Sequence, residues 1–229
     1  VKEIKIAMEK KLAGEKATDF IKNGMVLGLG TGTTVFHTIN KLAEMVKDGL
    51  EIKVVSTSKA TTDIARKLGI SLIDLNEVKK IDLTIDGADE VDFNFTGIKG
   101  GGGALLFERI VASCSNENIW VVDSSKYVET LGKFPLPVEV IPLGYKHLVS
   151  KFEANNMKPV MRKKGNDLFI TDSGNVLIDL HMDKIVDCNK LNEWLNNIPG
   201  VVQSGLFINV VNKIVIAKGN EVEVISKDR

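Results

Sequence analysis

A five-residue apolar run, Met25 to Leu29, stops at Gly30-Thr31-Gly32-Thr33-Thr34, and an apolar-periodic segment, Val35 to Val46, follows it directly. The run is short enough for a buried strand, and the segment after it is long and periodic enough for a helix. The pattern then recurs. Ile52 to Val55, Leu72 to Leu75, Leu83 to Ile85 and Asn118 to Val122 read as further strands. Ser56-Thr57-Ser58-Lys59-Ala60-Thr61-Thr62 opens a second helix, and Ala104 to Cys114 forms another. Strands that alternate with helices predict a parallel sheet covered by helices on both faces. In such a sheet ligands bind at the carboxyl ends of the strands. That edge collects three stretches: residues 30–34, residues 56–62 and the acidic stretch that follows Ile85.

The first of these stretches makes an anion cradle. Backbone N–H groups at a helix start face outward, the helix dipole favours negative charge, and threonine hydroxyls add donors. Capping of the helix by Ser or Thr is the plainer alternative. A dinucleotide fits less well, because the Gly-x-Gly-x-x-Gly pattern needs glycine at position 33, which is Thr33; the Walker lysine is also absent. For residues 56–62, capping and ligand contact stay equally open.

Residues 82–108 carry the densest chemistry. Asp86, Asp89, Glu90 and Asp92 lie just beyond Leu83 to Ile85, and Lys99 precedes the run Gly100-Gly101-Gly102-Gly103. The helix that follows carries Glu108 on a stripe with Ala104, Leu105 and Ala112. Small neighbours let this face pack closely and desolvate a carboxylate, which suits it to act as a base. A solvated glutamate paired with a surface lysine is the alternative. Asp123-Ser124-Ser125-Lys126 ends the fifth strand and brings a second lysine to the same edge.

The texture changes after Lys126. Phe134 to Pro142 is extended and holds three of the five prolines. Tyr145 to Asn155 and Asp187 to Asn197 read as helices; Pro159 to Arg162 and Leu168 to Asp179 read as strands around polar turns. Phe207 to Val211, Ile214 to Ala217 and Val222 to Ile225 are closing strands. At the other end, Glu3 to Ile21 reads as a helix with Ile4, Ala7, Met8, Leu12 and Ala13 on its apolar face and Lys10 beside the polar one.

Thirty basic and thirty acidic residues cancel, so no surface for nucleic acid or an anionic membrane is expected. Cys114 and Cys188 have neither metal-ligand spacing nor a disulfide framework, and His37, His147 and His181 form no ligand set. Val1 to Ile6 contain no signal-peptide core and no run approaches a membrane span, so the expected compartment is the cytoplasm. Trp120 and Trp194 are expected to pack in the core.

Four blocks together resemble the ribose-5-phosphate isomerases of the A type. They are residues 28–34, residues 86–92, residues 99–105 with Glu108, and residues 122–126 running on to Leu131-Gly-Lys-Phe-Pro-Leu-Pro-Val-Glu-Val140. They stand in family order and spacing, and the resemblance extends over essentially the whole chain. The expected fold is therefore α/β: a Rossmann-like, mostly parallel sheet domain at 1–131 and 206–229, with a smaller α+β, ferredoxin-like subdomain at 132–205.

The resemblance implies an aldose–ketose isomerase that interconverts D-ribose 5-phosphate and D-ribulose 5-phosphate through an enediolate, with no cofactor and no metal. It makes Glu108 the base that moves the proton between C1 and C2. Asp86 and Asp89 take the sugar hydroxyls and assist ring opening, and Lys99 supports the developing oxyanion. Thr31, Gly32, Thr33, Thr34, Gly87, Ala88, Gly100, Gly101, Gly102 and Lys126 line the substrate, with Lys10 at the phosphate. Family members are commonly homodimers or homotetramers. The chemistry fits these residues independently, since the reaction needs one base, an electrophile for the enediolate oxygen and a phosphate anchor. Two other readings compete. A non-catalytic sugar-phosphate sensor would keep the cradle without needing Glu108 and Lys99. A nucleotide-cofactor oxidoreductase would need the missing glycine.

Overall fold

The computed structural model describes residues 2–227. In chain order the elements are α1 (Lys2–Lys16), β1 (Val26–Leu29), α2 (Thr33–Lys47), β2 (Lys53–Ser56), α3 (Lys59–Lys67) and β3 (Ile81–Gly87). Next come β4 (Glu90–Asp92), β5 (Gly97–Ile98), α4 (Leu105–Ser113), β6 (Ser115–Asp123), β7 (Tyr127–Val128) and β8 (Leu136–Val140). Then follow α5 (Tyr145–Ala154), β9 (Pro159–Met161), β10 (Lys163–Lys164), β11 (Asp167–Leu168), β12 (Val176–Leu180) and α6 (Cys188–Asn196). The chain closes with β13 (Val201–Ser204), β14 (Leu206–Phe207), β15 (Lys213–Lys218) and β16 (Glu221–Ser226).

The chain divides into two compact units. The first comprises Val1–Ala88, Phe107–Tyr127 and Val210–Arg229; the second comprises Asp89–Leu106 and Val128–Asn209. The expected boundaries at 131 and 206 differ from this division mainly in Asp89–Leu106. That segment goes with the second unit because β5 pairs antiparallel with both β4 and β14, and Ile98 and Leu206 are part of its apolar core.

The first unit is a six-stranded sheet in the order β16-β15-β6-β3-β1-β2. All neighbouring pairs from β15 to β2 are parallel; β16 is an antiparallel edge. α1 and α2 cover one face through Ala13, Val35, Ile39 and Leu42, which pack with Leu27, Leu29, Leu83, Ile85, Ile119 and Val215. α4 covers the other face, where Val111 packs with Val55 and Ile81. Each fully buried Leu or Ile in these layers contributes on the order of 1.5–3 kcal/mol.

Two expectations fail locally. α1 does not bury Ile4 or Met8, which are 75% and 44% exposed; its inner face runs through Glu9 and Ala13, both 0% exposed, and continues to Ala17 in the 3₁₀ turn that follows. The strand expected at Leu72 to Leu75 is reduced to one parallel bridge, Val54 with Leu72. Asp74 ends it by accepting the Asn76 N–H at 2.8 Å and starting a 3₁₀ turn, Leu75–Glu77.

The second unit contains β8, α5, β9, β12, α6 and β13, a βαββαβ path whose sheet order is β13-β8-β12-β9 with every pair antiparallel. This is the ferredoxin-like arrangement. Its core joins Leu136, Val138 and Val140 to Phe152, Ile178, Leu180 and Leu195. Trp194 meets Phe152 edge-on at 6.1 Å between ring centroids. Among the described residues, no helix is long and apolar enough to cross a membrane.

Candidate functional site

In the first unit the parallel register brings the carboxyl ends of β1, β3 and β6 side by side: Leu29 lies opposite Ile85, and Gly87 opposite Val121. The loop after β1 is the expected cradle. Gly32 precedes α2 at φ 128°, and no side chain caps the helix. The first amides of α2 therefore keep the polarity that draws an anion to a helix start. Lys10 reaches across from α1 and donates to Thr33 Oγ1 at 3.0 Å, which puts a cation beside those amides.

Asp86 ends β3 and is 2% exposed. Its Oδ1 accepts the N–H groups of Thr31 at 3.1 Å and Gly87 at 2.7 Å. The loop can come so close only because residue 30 is glycine: a Cβ there would stand 1.8 Å from Asp86 Oδ1. The hydroxyl of Thr31 turns to Thr57 and Ser58, each at 2.8 Å, and Thr61 donates to the Gly30 carbonyl at 2.8 Å. Of the two roles open for residues 56–62, the hydrogen bonds show capping, together with a hold on the neighbouring β1–α2 loop. Ser58 caps α3 by accepting the Thr61 N–H at 3.1 Å, and the same group of hydroxyls grips the β1–α2 loop. A cap of this kind is worth about 1 kcal/mol.

Glu108 lies in the first turn of α4 and is 3% exposed. The alternative of a solvated surface glutamate is excluded by that burial. Lys126 follows β6 in a turn closed by its own N–H on the Asp123 carbonyl at 3.1 Å. That turn is held by a residue the sequence pattern did not single out. Glu9, wholly buried, accepts the Ser124 N–H at 3.0 Å, the Ser124 hydroxyl at 2.7 Å and the Gly219 N–H at 2.7 Å. Burial raises its pKa, but those hydrogen bonds and the nearby Lys5 outweigh burial and hold it below the ordinary value of 4.5.

The second unit carries Asp89, Lys99 and the glycine run. Asp89 Oδ2 accepts the Gly101 N–H at 2.7 Å, and the Asp89 N–H donates to Ile98 O at 2.8 Å. Glycine is required at 101 because a Cβ would lie 2.4 Å from Asp89 Oδ1. Lys99 is 2% exposed; its ammonium sits 5.4 Å from the centroid of the Phe207 ring, within the range of a cation–π contact. Gly101 and Gly102 stay exposed.

The neighbouring acids are structural. Glu90 accepts the N–H groups of Gly132 and Phe134, each at 2.7 Å. Asp92 accepts those of Asn94 and Thr96, each at 2.9 Å. Glu139, 1% exposed on β8, is a further buried acceptor: it binds the hydroxyl of Thr171 at 2.9 Å, the Asn175 amide at 2.9 Å and the Leu106 N–H at 3.2 Å. An acid between valines in a strand, Val138-Glu139-Val140, is the signal that marks it. Among the described residues, no group of three or more His, Cys, Asp or Glu is arranged to hold a metal ion.

A parallel sheet with an uncapped helix start at its carboxyl edge and a buried carboxylate on α4 defines a Rossmann-like α/β protein with the parts of an enzyme site. The comparisons with known proteins make this specific. The family described as Ribose 5-phosphate isomerase A (phosphoriboisomerase A) matches residues 53–221. A ribose-5-phosphate isomerase A of Listeria monocytogenes serovar 1/2a is 52% identical over 96% of this chain and 99% of its own length. One from Bifidobacterium longum subsp. infantis is 49% identical over 92% of each. Among solved structures, a D-ribose-5-phosphate isomerase in complex with phospho-erythronic acid superposes with a TM-score of 0.93 at 36% identity, covering 97% of this chain and 99% of that one. The Plasmodium falciparum ribose 5-phosphate isomerase gives 0.93 at 35% identity, covering 97% and 100%. The chain belongs to the ribose 5-phosphate isomerase A family, whose members are aldose–ketose isomerases.

Proposed function

We propose that the chain interconverts D-ribose 5-phosphate and D-ribulose 5-phosphate through an enediolate, as an enzyme of the non-oxidative pentose phosphate pathway. The observation that carries this is the burial of Glu108 in the first turn of α4, 3% exposed, in the unit that also holds the α2 cradle. Glu108 takes the proton from C2 of the aldose and returns it to C1, so one carboxylate serves both carbons. Lys99 stabilises the negative charge that grows on the enediolate oxygen, where a positioned cation is most effective. Asp86 and Asp89 hold sugar hydroxyls and assist ring opening.

The phosphate goes to Thr31–Thr34, with Lys10 and Lys126 adding positive charge. Its binding energy orients the reacting carbons. Gly87, Ala88 and Gly100–Gly102 supply backbone close to the sugar. The relative that holds phospho-erythronic acid supports this choice of ligand: a phosphorylated sugar acid has the phosphate and hydroxyls that these groups would meet. The protein needs no cofactor in this scheme. We place it in the cytoplasm, as a homodimer or homotetramer.

The test is a coupled assay of ribulose 5-phosphate formation from ribose 5-phosphate with EDTA present. Turnover is expected. Binding of ribose 5-phosphate with no turnover would instead mark a sugar-phosphate sensor.

A further inference from the structure

The glycine run after Lys99 is gripped from the second unit's four-stranded sheet. Arg162 follows β9, and its N–H donates to Leu177 O on the neighbouring β12 at 2.9 Å. Its guanidinium forks onto Asp179 of β12, Nε to Oδ2 at 2.9 Å and Nη2 to Oδ1 at 2.5 Å. Both side chains are only 16% exposed. The remaining nitrogen, Nη1, donates to two successive carbonyls, Gly100 at 2.8 Å and Gly101 at 3.1 Å. An extended strand points successive carbonyls to opposite sides. Here the chain turns instead: the Gly103 N–H closes onto the Gly100 carbonyl at 3.0 Å, which puts Gly101, between the two carbonyls, inside the turn.

The Gly101 residue is thus held at both of its polar groups. Asp89 accepts its N–H, and Arg162 donates to its carbonyl. Stability alone is a poor account of the pair, because a largely buried ion pair gains little over apolar residues of the same size. Its charges also cancel, so it adds little field to its surroundings. What it supplies is geometry: a planar fork with five fixed donors, which lysine cannot reproduce.

We propose that Arg162, oriented by Asp179, is a positioning residue for the isomerase reaction. It sets the path of Gly100 and Gly101 and through them the placement of Asp89 and Lys99. The proposal rests on the assignment of Asp89 and Lys99 to the sugar, made above. Neither Arg162 nor Asp179 is expected to touch substrate. Misplacing a catalytic group by about 1 Å can cost about 100-fold in rate.

The experiment compares Arg162→Lys, Arg162→Met and Asp179→Asn with the parent. It measures kcat and KM for ribose 5-phosphate, the inhibition constant of inorganic phosphate, and the folded fraction by near-UV circular dichroism at the assay temperature. Lys99→Met and Asp89→Asn serve as references. The expected result is a fall in kcat of about 10- to 100-fold per folded molecule, with phosphate inhibition within about twofold of the parent, because the proposed phosphate residues belong to the first unit. A folded Arg162→Lys or Arg162→Met protein with parental kcat overturns the proposal. So does a set in which all three variants fail to fold, which would make the pair purely structural. If Lys99→Met and Asp89→Asn keep the parental kcat, the assignment of this loop to the sugar fails first. If they lose it and the Arg162 variants do not, only the positioning role fails.

Discussion

Asp86 Oδ1 accepts the N–H of Thr31 at 3.1 Å, so the carboxylate at the end of β3 holds the backbone of the loop that opens α2. One side chain thereby joins the two parts of the first unit assigned to opposite ends of the sugar phosphate. The joint depends on the missing Cβ at Gly30. Gly30→Ala is expected to displace Asp86, to destabilise the fold by about 1–3 kcal/mol as overpacking does, and to lower kcat/KM. Thermal melting and steady-state kinetics check this. A variant with parental kcat/KM would show that the joint is irrelevant to turnover.

Glu108→Gln keeps the shape of the side chain but removes the group that takes the C2 proton. A loss of kcat of about 100- to 10,000-fold is expected, with folding and substrate binding retained. Deuterium exchange at C2 of bound substrate is the decisive measurement. Exchange near the parental rate would transfer the role of base to another residue, with Asp86 or Asp89 first in line.

Lys126→Ala is expected to act on binding more than on the chemical step. A hydrogen bond to a charged group contributes about 1.5–3 kcal/mol, so KM and the inhibition constant of inorganic phosphate should rise by roughly 10- to 100-fold. Unchanged phosphate inhibition would remove Lys126 from the anion site.

Glu9 makes stability depend on pH. Its folded pKa lies below the ordinary 4.5 because the Gly219 and Ser124 hydrogen bonds and Lys5 outweigh the opposing effect of burial. A carboxylate depressed in this way contributes stability that is full above its unfolded value and is lost as pH falls through its folded one. The parent should therefore lose more stability between pH 6 and pH 4 than Glu9→Gln does, as read by urea unfolding at the two pH values. Equal losses in the two proteins would rule Glu9 out as the source.

Much of this was legible because it is local. The β1–α2 turn and the glycine run are contiguous patterns that residue type and spacing single out, and the role proposed for Glu108 came from the family resemblance they carry. What escaped depends on partners distant in sequence. Ile4 and Met8 looked like the buried face of α1, yet Glu9 is inside, because Ser124 and Gly219 bring the donors that make a buried carboxylate tolerable. Glu90 and Asp92 look no different from Asp86 and Asp89 in the sequence. Only the fold shows which backbone amides each holds: Glu90 those of Gly132 and Phe134, Asp92 those of Asn94 and Thr96, Asp86 those of Thr31 and Gly87, and Asp89 that of Gly101. Arg162 was invisible as anything but the end of a strand, since its partners include backbone carbonyls, which leave no mark in side-chain pattern.

The order in which the sheet of the first unit is strung also governs how the chain folds as it is made. β6 pairs on one side with β3, already synthesised, and on the other with β15, where Trp120 lies opposite Ile214. During translation β6 therefore waits with one edge open while the whole of Val128–Asn209 is added. That continuous stretch includes all of βαββαβ, whose contacts are closer in sequence and cost less loop-closure entropy. The ferredoxin-like part is thus expected to fold first on the ribosome, while β6 presents an unpaired edge to neighbouring chains, a hazard for aggregation. The hazard ends when β15 arrives with the antiparallel β16 behind it.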